Sequence, residues 1–159
     1  MFSEDIKKGF PTLVNNPELV YLDSAASTQT HQSVLERMDK YYTEQRCNVN
    51  RGDFKISQDV SADIEKARES FANLINAKPE QIMFTAGATE GLNMVADWCK
   101  DVPVIIITEA EHTANILPWI AQGRTVDNGR LVVLPVNDRG SLNYDECAKI
   151  FEKWPYALL

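Results

Sequence analysis

The chain has 159 residues and a formal net charge of −7 at pH 7, and 44% of its residues are hydrophobic. That length and apolar content suit a folded domain, whereas the acidic charge argues against nucleic acid or an anionic membrane as partner. No apolar run is long enough to span a bilayer, and the first ten residues lack a secretory signal core, so a cytoplasmic protein is expected. The three cysteines and two histidines lack metal-ligand spacing, which predicts reduced thiols and no metal site.

The first half of the chain predicts helices separated by irregular segments. Residues 1–20 predict one short helix in an irregular lead-in, and residues 21–23 predict a short extended piece before the small, turn-like sequence SAAST. An apolar stripe of helical spacing follows, with His31 near its start. The segment CNVNRGDFKIS, residues 47–57, has no clean period and predicts a loop.

A second helix is predicted to end near Asn76, before Pro79. One of its faces is apolar and the other is charged, as in a helix that packs against a core. The residues of the apolar face are Ile64, Ala67, Phe71, Leu74 and Ile75.

The second half of the chain alternates predicted strands with predicted helices. This alternation is typical of an α/β protein with a mostly parallel sheet. The run of Val and Ile that ends at Ile107 predicts a strand buried on both faces. The predicted strands are 82–85, 102–108 and 130–136, and the predicted helices are 89–100, 115–122 and 143–154, with a turn at 138–140.

Two polar segments, 85–90 and 108–115, follow predicted strands, and parallel sheets bind ligands at the carboxyl ends of their strands. After Gly87 a helix begins, so backbone N–H groups and the Thr89 hydroxyl could bind a phosphate, although a threonine there can also be a simple cap. His112 in the second segment could stack on a flat ring or carry a proton, or it could be an ordinary surface histidine. A phosphate site beside a ring-stacking histidine is the arrangement of a pyridoxal phosphate site.

Four sequence blocks carry a resemblance to a known family. YLDSAAST, CNVNRGDFKIS, FTAGATEGLNMVA and AEHTANILPW, in this order, resemble the N-terminal half of the class V aminotransferase family, and within it the cysteine desulfurases that supply sulfur for iron–sulfur clusters. The resemblance implies an α/β fold: the N-terminal portion of the large domain of a pyridoxal phosphate-dependent transferase of fold type I, with an incomplete, mostly parallel sheet. It also implies a lead-in at 1–20 and a partial large domain at 21–159 that stops within a strand near 156–159.

The resemblance also implies residue roles. Ala88 and Thr89 match the pair that binds the cofactor phosphate, through backbone and hydroxyl respectively. His112 matches the catalytic histidine that stacks on the cofactor ring and assists proton transfer. Thr113 and Asn50 stand where histidines are common in the family, and the change at Asn50 leaves the substrate preference open. Residues that match the substrate pocket are Ala25, Ala26, Asn50 and Arg51.

The activity implied by the resemblance is pyridoxal phosphate-dependent sulfur transfer from L-cysteine, which yields alanine and a protein persulfide. The family enzymes are homodimers, and a sulfur-acceptor protein is a further partner implied for this chain. The family's Schiff-base lysine and sulfur-accepting cysteine have no match, and Cys99 and Cys147 predict core residues, so the isolated chain is expected to be an inactive fragment.

Three alternatives stay open at this stage. The chain could belong to another class V enzyme, such as a selenocysteine lyase or an aminotransferase. It could be a non-catalytic fragment that binds a homologous subunit, or an α/β domain without a cofactor. For the family fragment, the incomplete sheet is expected to leave unpaired strand edges and exposed apolar faces, which make the isolated chain marginally stable and prone to associate.

Overall fold

The structure is a computed structural model that describes residues 4–155, 157 and 158. The chain divides into two compact units, Met1–Met83 and Phe84–Leu159. No helix among the described residues combines the length and the apolar character needed to cross a membrane. The domain division expected from the sequence, with a boundary near residue 20, stays a prediction.

The first unit is helical in its described part. The lead-in holds two short helices where the sequence predicts one, and α4 begins at Lys55, inside the segment predicted as a loop. Ile56 precedes Val60 by four residues, so the helical spacing of apolar residues extends into the first turn of α4, which an exposed Lys55–Asp59 ion pair of 3.1 Å also spans. The elements are α1 Glu4–Lys7, α2 Pro11–Asn15, α3 Gln32–Lys40, a π-helical turn Tyr41–Gln45, α4 Lys55–Leu74 and a 3₁₀ turn Pro79–Gln81.

The apolar face predicted for α4 is largely exposed. Phe71 and Leu74 lie on that face, and Leu74 is 78% exposed, whereas Val60 and Ala72 are buried. The sequence predicts exposed apolar faces, and α4 has one.

The prediction of a strand at 82–85 is wrong. Ile82 has an extended backbone, but the segment belongs to neither strand of the sheet. The guanidinium of Arg68, on α4, donates a hydrogen bond to the carbonyl oxygen of Ile82, which is a group that a neighbouring strand would otherwise engage. Apolar residues with β propensity become a strand only where a partner strand lies beside them.

The second unit confirms the predicted parallel α/β fold. Its two strands pair in parallel with Ile105 opposite Leu131, and each is shorter than predicted. On the other side of the first strand, Leu158 makes a parallel bridge to Ile105. That bridge lies where a further strand is predicted, while Tyr156 and Leu159 of that prediction lie outside the described residues. The elements are α5 Ala88–Trp98, β1 Ile105–Thr108, α6 Thr113–Ala121, β2 Leu131–Leu134 and α7 Tyr144–Lys153.

Helices cover both faces of this sheet. Ile105 and Ile107 point to one face and pack with buried residues of α5 and α6, while Ile106 points to the other and packs with Cys147 of α7. The continuous apolar run therefore lies in a strand buried on both faces, as predicted. Cys99 packs against the first cluster, so both cysteines predicted as core residues lie in the core.

Arg124 follows α6 and is completely buried. Its guanidinium lies 5.9 Å from the Trp119 ring, and its pKa is lowered from the ordinary value by burial and, secondarily, by Arg130. The guanidinium ties the end of α5 to the segment that enters β1. Its hydrogen-bond acceptors are the carbonyl oxygens of Cys99 (3.2 Å), Lys100 (2.9 Å), Val102 (2.7 Å) and Pro103 (3.5 Å), while its Nε donates to the Gln122 side chain (3.2 Å).

Candidate functional site

The loop that enters α5 is closed on itself. Gly87 caps the helix with φ 157° and ψ 177°, a backbone conformation essentially restricted to glycine. The Thr85 hydroxyl donates to the Gly87 carbonyl at 3.1 Å, and the Ala86 N–H donates to the Glu90 carboxylate. The carboxylate of Glu90 therefore turns back onto the loop that precedes the helix.

The first backbone donors of α5 remain open. No side chain caps this helix, and the N–H groups of Ala88 and Thr89 have no intrahelical acceptor, as at any helix start. The Thr89 side chain is exposed, and within the described part of the chain its hydroxyl makes no hydrogen bond. A Cβ placed on Gly87 would meet no atom within 4 Å, so the space beside these donors is open. The helix dipole adds positive potential, and the combination fits a phosphate group.

His112 caps α6, which begins at Thr113, two residues before the predicted start at 115. Its Nδ1 accepts a hydrogen bond from the Ala114 N–H at 3.1 Å, and the side chain is exposed. An Nδ1 that accepts cannot carry a proton, so the neutral ring is protonated on Nε2. The structure thus gives His112 a capping role; the stacking role expected from the resemblance stays a prediction.

A hydrogen-bond chain next to His112 was missed by the sequence analysis. The half-buried carboxylate of Glu111 accepts from the Thr108 hydroxyl at 3.1 Å and from the Asn115 side-chain amide at 3.0 Å. The Asn115 oxygen in turn accepts from Trp119 Nε1 at 3.4 Å. The signal for it is the spacing of Glu111, Asn115 and Trp119 at i, i+4 and i+8.

Helices α5 and α6 pack together within the second unit. The Gln122 side chain, at the C-terminal end of α6, donates to the Ala96 carbonyl near the C-terminal end of α5 at 2.6 Å. The carboxyl ends of the helices therefore meet, and the helix starts at Gly87 and His112 are the ends remote from that contact.

The two predicted pocket alanines lie in an exposed turn of the first unit. The N–H groups of Ala26 and Ser27 donate to the Asp23 carbonyl at 3.1 Å, and the Tyr21 hydroxyl donates to the Ser27 carbonyl. Ala25 and Ala26 are both exposed on this turn. The small turn predicted for SAAST is therefore present, and its two alanines present their side chains to solvent.

Asn50 and Arg51 lie in a loop tied to the first turns of α4. Asn50 has a positive φ of 58°, and its N–H donates to the Ser61 hydroxyl at 3.0 Å. The buried Ser57 donates to the Asn48 carbonyl at 2.8 Å. These residues and the two alanines belong to the first unit, whereas Ala88, Thr89 and His112 belong to the second. The pocket and cofactor roles of all seven residues stay predictions.

The fold of the described chain is the N-terminal portion of the large domain of a pyridoxal phosphate-dependent transferase of fold type I. Residues 20–156 match the aminotransferase class-V family, and the chain belongs to that family.

Relatives of this chain are named cysteine desulfurases. One from Pectobacterium carotovorum is 40% identical over 88% of this chain and 36% of its own length. The cysteine desulfurase SufS of Plasmodium falciparum is 33% identical over 89% of this chain and 27% of its own length. The apo structure of a cysteine desulfurase from Thermococcus onnurineus is similar with a TM-score of 0.80 and 33% identity, over 94% of this chain and 37% of that one.

This chain thus spans about a quarter to two fifths of the length of these relatives. It corresponds to an N-terminal part of the family's proteins, as the four sequence blocks predict.

Proposed function

We propose that this chain supplies the cofactor anchor of a cysteine desulfurase-like, pyridoxal phosphate-dependent enzyme. The observation that carries the proposal is the start of α5, where Gly87 leaves open space beside uncapped backbone donors. Membership of the class-V family and the names of the relatives support the same cofactor.

Three residues of this chain would hold pyridoxal 5′-phosphate. The N–H groups of Ala88 and Thr89 and the Thr89 hydroxyl bind the phosphate, and His112 covers one face of the pyridine ring. When bound, the cofactor supplies an electron sink, while the protein supplies position and electrostatics. The contribution of this chain is therefore to bind and orient.

The proposed substrate is L-cysteine, with alanine and a protein persulfide as products. Ala25, Ala26, Asn50 and Arg51 line the substrate pocket in this proposal. A homodimer and a sulfur-acceptor protein are the proposed partners. Because the family's Schiff-base lysine and sulfur-accepting cysteine have no match here, the isolated chain binds the cofactor without turning over.

A second candidate function is binding to a homologous subunit. Many large apolar side chains are exposed in the described part of the chain, among them Leu22 at 89% and Trp98 at 63%, and extensive exposed apolar surface marks an interaction site. Sedimentation of this chain mixed with the full-length Thermococcus relative tests this candidate. A stable mixed species supports it, and independent sedimentation of the two proteins rules it out.

The cofactor proposal is tested by titrating the full chain with pyridoxal 5′-phosphate while amide NMR signals are recorded. The signals of Ala88, Thr89 and Glu90 should shift, inorganic phosphate should shift the same signals, and pyridoxal should not. Thr89→Val should weaken binding roughly tenfold or more, because a hydrogen bond to a charged group contributes about 1.5–3 kcal/mol. Thr43→Val is the matched control, since the Thr43 hydroxyl only donates to its own helix, to the Asp39 carbonyl at 2.7 Å.

Two results would overturn the cofactor proposal. One is a set of shifted signals that leaves out the start of α5, and the other is equal binding of pyridoxal and its phosphate. Borohydride reduction followed by intact mass is a further check, because no single lysine of this chain should retain the cofactor.

A further inference from the structure

We propose that Glu111 is a positioning residue for His112. It fixes the segment between β1 and α6, so that His112 Nδ1 stays on the Ala114 N–H and the ring presents Nε2–H to a ligand. The proposal deepens the function proposed above, and rests on it for the identity of that ligand.

The geometry places Glu111 as a clamp across this segment. One carboxylate oxygen accepts from Thr108 at the end of β1, and the other accepts from Asn115 in the first turn of α6. Only residues 112–114, which include His112, lie between Glu111 and its partner Asn115. The Asn115 N–H also donates to the His112 carbonyl at 2.8 Å. Asn115 is therefore bonded both to the Glu111 carboxylate and to the backbone of His112.

The clamp is anchored in the core. The Asn115 oxygen accepts from Nε1 of Trp119, which packs against β1 in the buried cluster and is 4% exposed. Glu111 makes no ion pair within the described part of the chain, so its carboxylate is held by neutral donors. Hydrogen bonds to an ionised acceptor are stronger than those between neutral groups, which gives this short chain its rigidity.

The fixed ring has a defined chemistry. The basic lone pair of the neutral imidazole is on Nδ1, and the Ala114 N–H occupies it. Toward a ligand, His112 therefore offers an apolar ring face and an Nε2–H donor. It offers no free basic nitrogen unless the cap is broken, so the proposal assigns it stacking and hydrogen-bond donation in the neutral state.

Long-range ¹H–¹⁵N NMR of the full chain without cofactor reads the tautomer directly. The chain has only two histidines, and His31 is an internal reference because its Nδ1 also accepts from a backbone N–H, that of Ser33, at 3.2 Å. His112 should show a protonated Nε2 and an unprotonated Nδ1. In Glu111→Met, which keeps an unbranched side chain of similar length but offers no oxygen acceptor to Thr108 or Asn115, the His112 pattern should shift toward an average of both tautomers.

Glu109→Gln is the matched control, because Glu109 lies in the same loop but accepts from the Val136 N–H at 2.9 Å. It should leave the His112 pattern unchanged. Glu111→Gln is the conservative variant, because its amide oxygen can accept from Asn115 while its NH2 group donates to the Thr108 oxygen, and it should keep the single-tautomer pattern. His31 should stay constant throughout. If Glu111→Met does not fold, Thr108→Val carries the test, with a smaller shift of His112 in the same direction.

An unchanged His112 pattern in folded Glu111→Met would overturn the proposal, as would equal changes in His31 or an equal loss of the pattern in Glu111→Gln. Failure of the wild-type chain to bind pyridoxal phosphate, with an intact tautomer pattern, would instead contradict the proposed function. The two failures are therefore distinguishable.

Discussion

Replacement of Arg124 by methionine tests whether the buried guanidinium holds the second unit together. The substitution keeps an unbranched side chain but removes every side-chain donor of Arg124. The shortest bonds are those to Val102 and Lys100, at 2.7 and 2.9 Å. These bonds are partly buried, so each acceptor left without its donor is assigned the low end of the usual cost, about 1 kcal/mol, and these two with the Cys99 carbonyl predict a loss of about 3 kcal/mol.

That loss is a large fraction of the total stability, since domains are stable by only about 5–15 kcal/mol. Urea unfolding of the full chain, followed by circular dichroism and by tryptophan fluorescence, measures it as a lower midpoint. Arg124→Lys should fall between the wild type and Arg124→Met, because an ammonium group keeps some donors but lacks the planar fork.

Arg139→Met is the matched control for this series. Arg139 is exposed in a turn, and its only hydrogen bond in the described structure is from its backbone N–H to the Asn137 side chain. Its replacement should change the free energy of unfolding by less than about 0.5 kcal/mol. The reasoning is refuted if Arg124→Met is as mild as this control, since water would then replace the guanidinium without loss.

Two further predictions concern the starts of helices. Gly87→Ala should lower the free energy of unfolding by about 1–3 kcal/mol through backbone strain alone, because the new Cβ has open space around it. The same variant should weaken phosphate binding. An unchanged free energy of unfolding in urea would contradict the strained backbone. Asn143 caps α7 by accepting a hydrogen bond from the Glu146 N–H at 3.3 Å. Asn143→Ala should therefore lower the free energy of unfolding by about 1 kcal/mol, whereas Asn143→Asp should retain most of the stability. An unchanged free energy of unfolding in Asn143→Ala would show that this long hydrogen bond contributes no stability.

Local patterns in the sequence predicted the second unit well. The apolar run that ends at Ile107 predicts a doubly buried strand, and the structure packs it between helices on both faces. The helix after Gly87 is also present, since a glycine turn followed by a period of 3.6 is a local signal. These features depend on residues a few positions apart.

Features that depend on distant partners could not be predicted in the same way. Residues 82–85 have the composition of a strand, but a strand requires a neighbour, and no local pattern reports whether one is present. The predicted apolar face of α4 likewise says nothing about what covers it, and Leu74 is exposed. At the candidate site, His112 stood out in the sequence, whereas its cap on Ala114 and its clamp by Glu111 depend on where α6 begins.

The position of β1 in the sheet has a consequence for synthesis of the chain on the ribosome. β1 gains its first neighbour from residues 131–134 and its second at Leu158, so one edge must wait for the chain to lengthen. At about 5–20 residues per second, translation leaves that edge without its neighbour for a time on the order of seconds. Over that interval the three consecutive isoleucines of β1 lie beside an unpaired edge, to which another nascent chain could bind. If α5 and α6 fold onto their face of β1 first, they cover one of its two apolar faces before the sheet is complete.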